Sequence, residues 1–212
     1  MNIDYSVYLV TNREVTEKHG RDFFAAIEEA LQHGVTLVQL REKKMDDAAM
    51  IEEGRRVKEI CDRYQVPLLV DDRIAVAKAI GAAGVHLGQS DDKLDKARKE
   101  LGPDAVIGIS AHNLKEAQEA EAGGADYLGA GALFPTSTKK DATDLSLDDF
   151  RAIIKAVKIP VVGIGGIGIP QYGKVLDCGA AGCAMITSIL AADDIGKAVD
   201  QMKAIYKEKN QG

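Results

Sequence analysis

The feature that most constrains the fold of this chain is a joint that recurs four times. Residues of helical character are followed by a glycine, and an apolar run begins within a few residues. The four copies occupy residues 30–35, 77–82, 120–125 and 175–180. Glycine ends a helix at low cost because it adopts the left-handed conformation without steric strain. Repetition of one such joint predicts a strand–helix unit that recurs along the chain.

The apolar runs themselves predict eight strands. They lie at residues 5–10, 35–40, 67–71, 85–88, 105–110, 126–129, 160–164 and 183–187. Most are apolar at nearly every position, as in parallel strands that are buried on both faces. Helical stripes of apolar residues lie between runs and after the last one; two of them are Val57, Ile60, Cys61, Tyr64 and Ile195, Val199, Met202, Ile205.

Eight such units in 212 residues match the size of a compact barrel. We therefore predict an α/β fold, a single (β/α)₈ TIM barrel domain over residues 1–212. An open, doubly wound parallel sheet is the alternative.

Composition excludes several classes of function. The chain has 33 acidic and 27 basic residues, six Tyr, four Phe and no Trp. It therefore lacks the basic surface and the stacking platforms of a nucleic-acid binder. No apolar run approaches the ~18 residues of a membrane span, and residues 1–10 lack the pattern of a signal peptide. Three scattered cysteines without C-x-x-C spacing indicate buried thiols in a reducing compartment, so we expect a cytoplasmic protein without membrane contact.

Chemically active residues follow the predicted strands, whereas glycine, alanine and proline precede them. In a barrel this places the active groups together at the carboxyl-terminal rim. Asp72 and Asp91 follow neighbouring strands, and paired carboxylates suit Mg²⁺, which also takes phosphate oxygens and water. The alternative is that each aspartate only caps a helix. Arg41, Lys43 and Lys139 add cations suited to phosphate, so the rim is typical of a diphosphate site with its metal.

A second anion site is indicated near the end of the chain. Residues 163–168 match G-x-G-x-x-G, but they follow the seventh predicted strand, and no acidic residue stands about 20 residues on. A barrel phosphate site, completed by Thr187 and Ser188 at the start of a short helix, is favoured over a dinucleotide site; a simple tight turn is the alternative. The long segment 131–144 adds hydroxyls, and such segments are often functional.

Ser110 ends a buried run and is expected to point to the rim, unless it is only a buried serine bonded to backbone. His112 is expected to precede a helix rather than to act as a base. His86 and His33 have no partner that the sequence reveals.

Seven segments together resemble the thiamin phosphate synthase family. They are Y-L-V-T (8–11), Q-L-R-E-K (39–43), V-D-D-R (70–73), G-V-H-L-G-Q-S-D (84–91), G-I-S-A-H (108–112), D-Y-L-G-A-G-A-L-F-P-T-S-T-K-K (126–140) and V-V-G-I-G-G-I (161–167). They occur in the family's order over nearly the whole chain.

The resemblance implies a transferase that acts on two small phosphorylated substrates. It would join 4-amino-2-methyl-5-hydroxymethylpyrimidine diphosphate to 4-methyl-5-(2-phosphoethyl)thiazole with Mg²⁺, giving thiamin monophosphate and diphosphate by a dissociative displacement. The pyrimidine diphosphate site would comprise Gln39, Arg41, Glu42, Lys43, Asp71, Ser110 and Lys139. The thiazole phosphate site would comprise Thr136, Ser137, Thr138, Gly166, Ile186 and Thr187. The metal ligands would be Asp72 and Asp91, and the catalytic residues Ser110, Lys139, Arg41 and Lys43.

One position departs from the family. Asp71 stands where the family usually has Asn, and an ionised aspartate cannot donate the hydrogen bond that an amide can.

Other functions remain open at this point. One is a thiazole tautomerase, a sibling family that is poorer in the diphosphate and metal residues. Another is a non-catalytic regulator that binds thiazole phosphate or thiamin phosphate. A phosphosugar isomerase or a Schiff-base aldolase is less favoured, because Lys43 and Lys139 lie in polar runs. The sequence leaves open whether the chain forms a homo-oligomer.

Overall fold

Eight parallel strands close into a barrel in a computed structural model that describes residues 2–91, 93–136 and 145–210. The strands are β1 (Val7–Val10), β2 (Leu37–Leu40), β3 (Leu68–Asp71), β4 (Gly84–Leu87), β5 (Val106–Ala111), β6 (Tyr127–Ala130), β7 (Val161–Ile164) and β8 (Gly182–Met185). Each pairs with its neighbour in chain order, and β1 also pairs with β8. The (β/α)₈ prediction is confirmed, and the closing pair excludes the open sheet.

Helices connect the strands and surround the barrel. They are α1 (Arg13–Lys18), α2 (Phe23–His33), α3 (Asp47–Arg63), α4 (Ile74–Ile80), α5 (Leu94–Leu101), α6 (Leu114–Ala122), α7 (Leu147–Ala156), α8 (Ile169–Leu176), α9 (Thr187–Leu190) and α10 (Ile195–Asn210). The predicted apolar stripes lie on α3, whose C-cap residue is Tyr64, and on α10. Helix α10 packs against α2 and α8, so the last helix covers the start of the barrel.

The predicted joints and local caps explain where the helices stop and start. The glycines of the four joints, Gly34, Gly81, Gly124 and Gly179, all have positive φ, between 64° and 103°. At the other ends, short polar side chains accept hydrogen bonds from backbone N–H groups that the helix leaves unpaired. The side chains of Asp22, Asp46, Asn113 and Ser146 begin α2, α3, α6 and α7 in this way.

The core has two layers because successive strand residues point to opposite faces. Leu9 of β1 points outward into the layer between strands and helices. Tyr8 and Val10 point inward, where they meet Leu37, Leu69, Val106, Tyr127 and Val162. The barrel interior is therefore filled, and space for a ligand is left above it, at the carboxyl ends of the strands. Within the described residues, no helix is long and apolar enough to cross a membrane.

Candidate active site

A cavity of about 1030 Å³, counting the part open to solvent, lies at the carboxyl-terminal rim. The predicted site residues that line it are Gln39, Arg41, Lys43, Asp71, Asp91, Ser110, Thr136, Gly166, Ile186 and Thr187. Ser137, Thr138 and Lys139 lie outside the described residues. The cavity therefore brings together groups from both predicted phosphate sites.

Opposite charges meet on the β2–β3 side of the cavity. Nζ of Lys43 lies 2.7 Å from Oδ2 of Asp71 and also pairs with Asp72, while Nε of Arg41 lies 3.6 Å from Oδ2 of Asp71. Burial raises the pKa of Asp71, and the attraction of Lys43 offsets only part of that. Burial alone would lower the pKa of Lys43, but the attraction of Asp71 and the hydrogen bonds to both aspartates raise it. Lys43 is a cation held in place by carboxylates, with nearly half of its side chain exposed to a ligand.

Asp72 and Asp91 do not cap helices, so the capping alternative is wrong. The N-cap residues of α4 and α5 are Arg73 and Lys93. Asp72 has φ 71°, an uncommon conformation for a residue other than glycine. Oδ2 of Asp91 accepts a hydrogen bond from the backbone N of Gly88 at 2.5 Å, and Asp91 lines the cavity.

Both carboxylates are oxygen donors of the kind that Mg²⁺ prefers, but of the two only Asp91 lines the cavity, while Asp72 pairs with Lys43. Asp72 follows β3 and Asp91 follows β4, and these strands are neighbours in the barrel, so the two residues belong to adjacent segments of the rim. Mg²⁺ is usually bound by one or two carboxylates together with water and substrate phosphates. Among the described residues there is no group of three or more His, Cys, Asp or Glu side chains that could hold a metal.

Glu42 lies between the two cations in sequence, but its side chain turns away from the cavity lining. Its carboxylate accepts hydrogen bonds from Oγ1 of Thr11 at 3.0 Å and from the backbone N of Arg13 at 3.2 Å. Burial, together with the nearby charge of Glu53, raises the pKa of Glu42 to about 7 despite these hydrogen bonds. In this position Glu42 ties the β2–α3 connection to the start of α1.

Polar side chains cross the barrel interior beneath the cavity. Nε2 of His86 lies 3.0 Å from Oγ of Ser110, and Nδ1 lies 2.9 Å from Oη of Tyr127. The phenol of Tyr127 is 2.8 Å from that of Tyr8, which accepts a hydrogen bond from Gln39 Nε2 at 2.5 Å. The hydroxyl of Ser110 is therefore bonded to the side chain of His86, and not to backbone alone.

The structure supplies the partners of His86 and His33 that the sequence does not reveal. His33 pairs with Asp200 on α10 at 2.9 Å, and His86 lies between Ser110 and Tyr127. Partners from distant strands cannot be inferred from local spacing. One signal was available, because tyrosines inside buried runs need a hydrogen-bond partner, and both Tyr8 and Tyr127 lie in such runs.

A second polar pair, also missed by sequence reasoning, borders the cavity. His112 directly precedes the N-cap residue of α6, as predicted, and its Nδ1 lies 2.9 Å from Oε2 of Glu116. The same carboxylate accepts the backbone N–H of His112 at 2.8 Å. Although burial alone would raise it, these contacts lower the pKa of Glu116.

The β7–β8 side of the cavity is built from a glycine turn and a short helix. Gly165 and Gly166 have φ 95° and 62°, and a Cβ on Gly166 would lie 2.5 Å from the carbonyl oxygen of Pro135. Helix α9 begins at Thr187, as predicted, two residues after β8. Its far end is held by Arg21, whose guanidinium donates to the carbonyls of Leu190 and Asp193 at 3.0 Å and of Ala192 at 2.5 Å. Among the residues that the structure describes, backbone and hydroxyl groups rather than cations form this end of the cavity.

Comparison with known proteins places the chain in one family. The family model described as thiamine monophosphate synthase matches residues 7–189. The thiamine-phosphate synthase of Clostridium acetobutylicum is 49% identical over 209 residues, which cover 99% of this chain and 98% of the relative. That of Methanobrevibacter smithii is 44% identical and covers 99% of each chain.

A solved structure gives the same result. The thiamine phosphate pyrophosphorylase from Pyrococcus furiosus superposes with a TM-score of 0.89 at 37% identity, and the match covers 97% of both chains. The resemblance seen in the sequence motifs is thereby confirmed, as is the transferase class. The chain belongs to the thiamine monophosphate synthase family.

Proposed function

We propose that the chain joins 4-amino-2-methyl-5-hydroxymethylpyrimidine diphosphate to 4-methyl-5-(2-phosphoethyl)thiazole, with Mg²⁺, to give thiamin monophosphate and diphosphate. One observation carries the proposal: a single cavity has two different ends suited to anions. One end holds Arg41 and Lys43 beside carboxylates, and the other holds the Gly165–Gly166 turn and Thr187. Two phosphorylated substrates bound at these ends would meet in the middle.

The reaction requires one bond to break and one to form. The C–O bond between the pyrimidine methylene and the diphosphate breaks, and its electron pair leaves with the diphosphate. The thiazole nitrogen then donates its lone pair to the methylene carbon to form the new C–N bond. No proton transfer and no side-chain nucleophile are needed, so the protein contributes charge and position.

Arg41 and Lys43 would neutralise the leaving diphosphate, with Lys139 as a third cation and Ser110 as a hydrogen-bond donor. Gln39 and Asp71 complete the proposed pyrimidine diphosphate site, whereas Glu42, which turns away from the cavity, would support it only through Thr11 and Arg13. Asp72 and Asp91 would hold Mg²⁺, which when bound adds positive charge to the same oxygens. Arg41 grips through a planar pair of N–H groups, while Lys43 acts as a point charge.

The thiazole phosphate would be held by Thr136, Ser137, Thr138, Gly166, Ile186 and Thr187. Main-chain N–H groups of a glycine turn and of a helix start are suited to a phosphate dianion. Fixing this phosphate would orient the thiazole nitrogen toward the methylene carbon. That proximity is the main contribution we assign to this end of the cavity.

We further propose that the barrel is a single domain and works in the cytoplasm. Cys61, Cys178 and Cys183 are all buried free thiols, which suits a reducing compartment. The substrates proposed here are its small-molecule partners.

The test is an assay with both substrates, with and without Mg²⁺. Thiamin phosphate should form with the metal, and activity should fall sharply after exhaustive chelation. Binding of both substrates without turnover would overturn the proposal in favour of a regulator. Isomerisation of a thiazole phosphate without the pyrimidine substrate would favour the tautomerase, in which Arg41 and Lys43 would have no diphosphate to bind.

Lys139 gives a residue-level test of the same proposal. Lys139→Ala should lower kcat by about a hundredfold, because one preorganised charge on the leaving group is lost. Lys115→Ala is the matched control, since Lys115 is exposed on α6 and pairs only weakly, at 3.7 Å, with Glu119. Near-wild-type turnover of Lys139→Ala at saturating substrates would remove Lys139 from the mechanism.

A further inference from the structure

Five side chains form a continuous hydrogen-bonded line across the barrel interior. It runs from Gln39 on β2 through Tyr8, Tyr127 and His86 to Ser110 on β5, with steps of 2.5, 2.8, 2.9 and 3.0 Å. The first four are at most 8% exposed. Gln39, His86 and Ser110 line the cavity, whereas Tyr8 and Tyr127 do not. The line therefore connects two proposed substrate contacts through the core.

Adjacent glycines leave the space that this line occupies. A Cβ on Gly108 would lie 2.2 Å from the ring of Tyr127, and one on Gly129 would lie 2.9 Å from Cε1 of His86. A larger residue at either position would push a ring aside. The two rings are thus held closely in the places that keep the line connected.

The direction of the hydrogen bonds follows from the donors available. An amide nitrogen only donates, so Oη of Tyr8 accepts from Gln39. A phenol has one proton, so Tyr8 then donates to Tyr127, and Tyr127 donates to Nδ1 of His86. A neutral imidazole that accepts at Nδ1 carries its proton on Nε2, and it donates that proton to Oγ of Ser110.

We propose that Tyr8, Tyr127 and His86 are positioning residues that make the hydroxyl of Ser110 a hydrogen-bond donor into the cavity. Because Oγ accepts from His86, its own proton is directed to another acceptor. The matching ligand group is an anionic phosphate oxygen or an unprotonated ring nitrogen. The identity of that ligand rests on the proposed function, whereas the direction of the line does not.

The direction is measured by ¹⁵N NMR of the histidine rings in the free enzyme at about pH 8. Wild-type His86 should carry its proton on Nε2, with Nδ1 unprotonated; His86→Gln assigns the signals. A proton on Nδ1 would overturn the proposal. The measurement requires no substrate, so it stands even if the assay for thiamin phosphate fails.

Whether Gln39 sets the direction of the hydrogen bonds is tested by replacing its amide donor with a carboxylate, which can only accept. In Gln39→Glu the carboxylate accepts from Tyr8, so each bond should reverse and Nδ1 of His86 should become protonated. The change should persist in the Gln39→Glu, Tyr5→Phe double variant and disappear in Gln39→Glu, Tyr127→Phe, where the line is cut. An unaltered ring in Gln39→Glu, or a change that survives Tyr127→Phe, would show that the line does not carry the effect.

Kinetics test the consequence for catalysis. Tyr127→Phe should lower kcat about tenfold, the cost of one misdirected hydrogen bond, and leave KM for the thiazole phosphate within about twofold. Tyr5→Phe is the matched control, because the Tyr5 ring packs 4.8 Å from the Tyr127 ring but its hydroxyl is not part of the line. Equal effects of the two variants, or a rise in the thiazole KM alone, would contradict a positioning role.

Discussion

At the scale of single residues, Asp71 places a negative charge where the proposed substrate brings another. Its carboxylate is buried and lies against Lys43 and Arg41, so it competes with a diphosphate for both cations. The Asn that the sequence resemblance implies as the usual family residue here would not compete in this way. We therefore expect this chain to hold its cations in place at some expense in anion affinity.

Asp71→Asn should bind inorganic diphosphate about tenfold more tightly in the absence of Mg²⁺, since one opposing charge beside the ligand is removed. Titration calorimetry measures the change. Asp47→Asn is the matched control, because Asp47 pairs with Arg73 on the surface and does not line the cavity. Unchanged or weaker binding by Asp71→Asn would show that the carboxylate does not compete.

Residue types after the strands were enough to predict where the charged groups lie, but not how each side chain points. Arg41 and Lys43 face the cavity, as their position after β2 suggests, whereas Glu42 between them turns to Thr11 and Arg13. The position of a residue after a strand does not determine the direction of its side chain, because that direction depends on groups from other parts of the chain. Likewise, the line from Gln39 to Ser110 depends on Tyr8 and Tyr127, which are 119 residues apart.

At the scale of elements, the turn after β7 needs glycine for two reasons. Gly166 has φ 62°, and a Cβ added to it would lie within 2.7 Å of the carbonyl oxygens of Phe134 and Pro135. Gly81, at the end of α4, has nearly the same φ, 64°, but open space around it. Comparing Gly81 with Gly166 therefore separates the effect of backbone strain, which both share, from that of close packing, which only Gly166 has.

Gly81→Ala should lower the free energy of unfolding by about 1 kcal/mol, the cost of a left-handed alanine. Gly166→Ala should lower it by about 3 kcal/mol, because the added methyl group also displaces the 134–135 backbone. Urea unfolding measures both, and KM for the thiazole phosphate should rise only for Gly166→Ala. Equal losses in the two variants would mean that the carbonyls move aside freely.

The elements themselves were well predicted, because strand and helix signals are local. All eight strands overlap their predicted runs, and the four glycines of the joints have the predicted left-handed conformation. What holds α9 in place was not predictable. Arg21 donates to the carbonyl of Leu190 at the end of α9, although the two residues are 169 positions apart in the sequence and meet only because the barrel closes.

At the scale of the whole molecule, the stability should depend on pH through the buried acid Glu42. Burial raises its pKa to about 7, and raises that of Glu53 as well. A carboxyl whose folded pKa lies above its unfolded value binds its proton more tightly in the folded state. Its contribution to stability is therefore complete below the unfolded pKa and is lost as pH rises through about 7.

Glu42→Gln removes this contribution, since the amide does not titrate. Relative to wild type, the variant should gain about 1–3 kcal/mol of unfolding free energy between about pH 5 and about pH 8. Urea unfolding at both pH values measures the difference, and Glu59→Gln, at an exposed position on α3, is the control. A difference that does not vary with pH would show that Glu42 is ionised throughout.

The pairing of β1 with β8 closes the strands into a ring, so we expect the fold not to depend on where in that ring the termini lie. The last helix, α10, contacts β1, so we expect that a short linker can join the two ends. A circular permutant opened between Gly123 and Gly124, at the rim opposite the cavity, should fold and make thiamin phosphate. One opened between Gly165 and Gly166 should fold but lose the thiazole phosphate, because the proposed phosphate site lies at that rim.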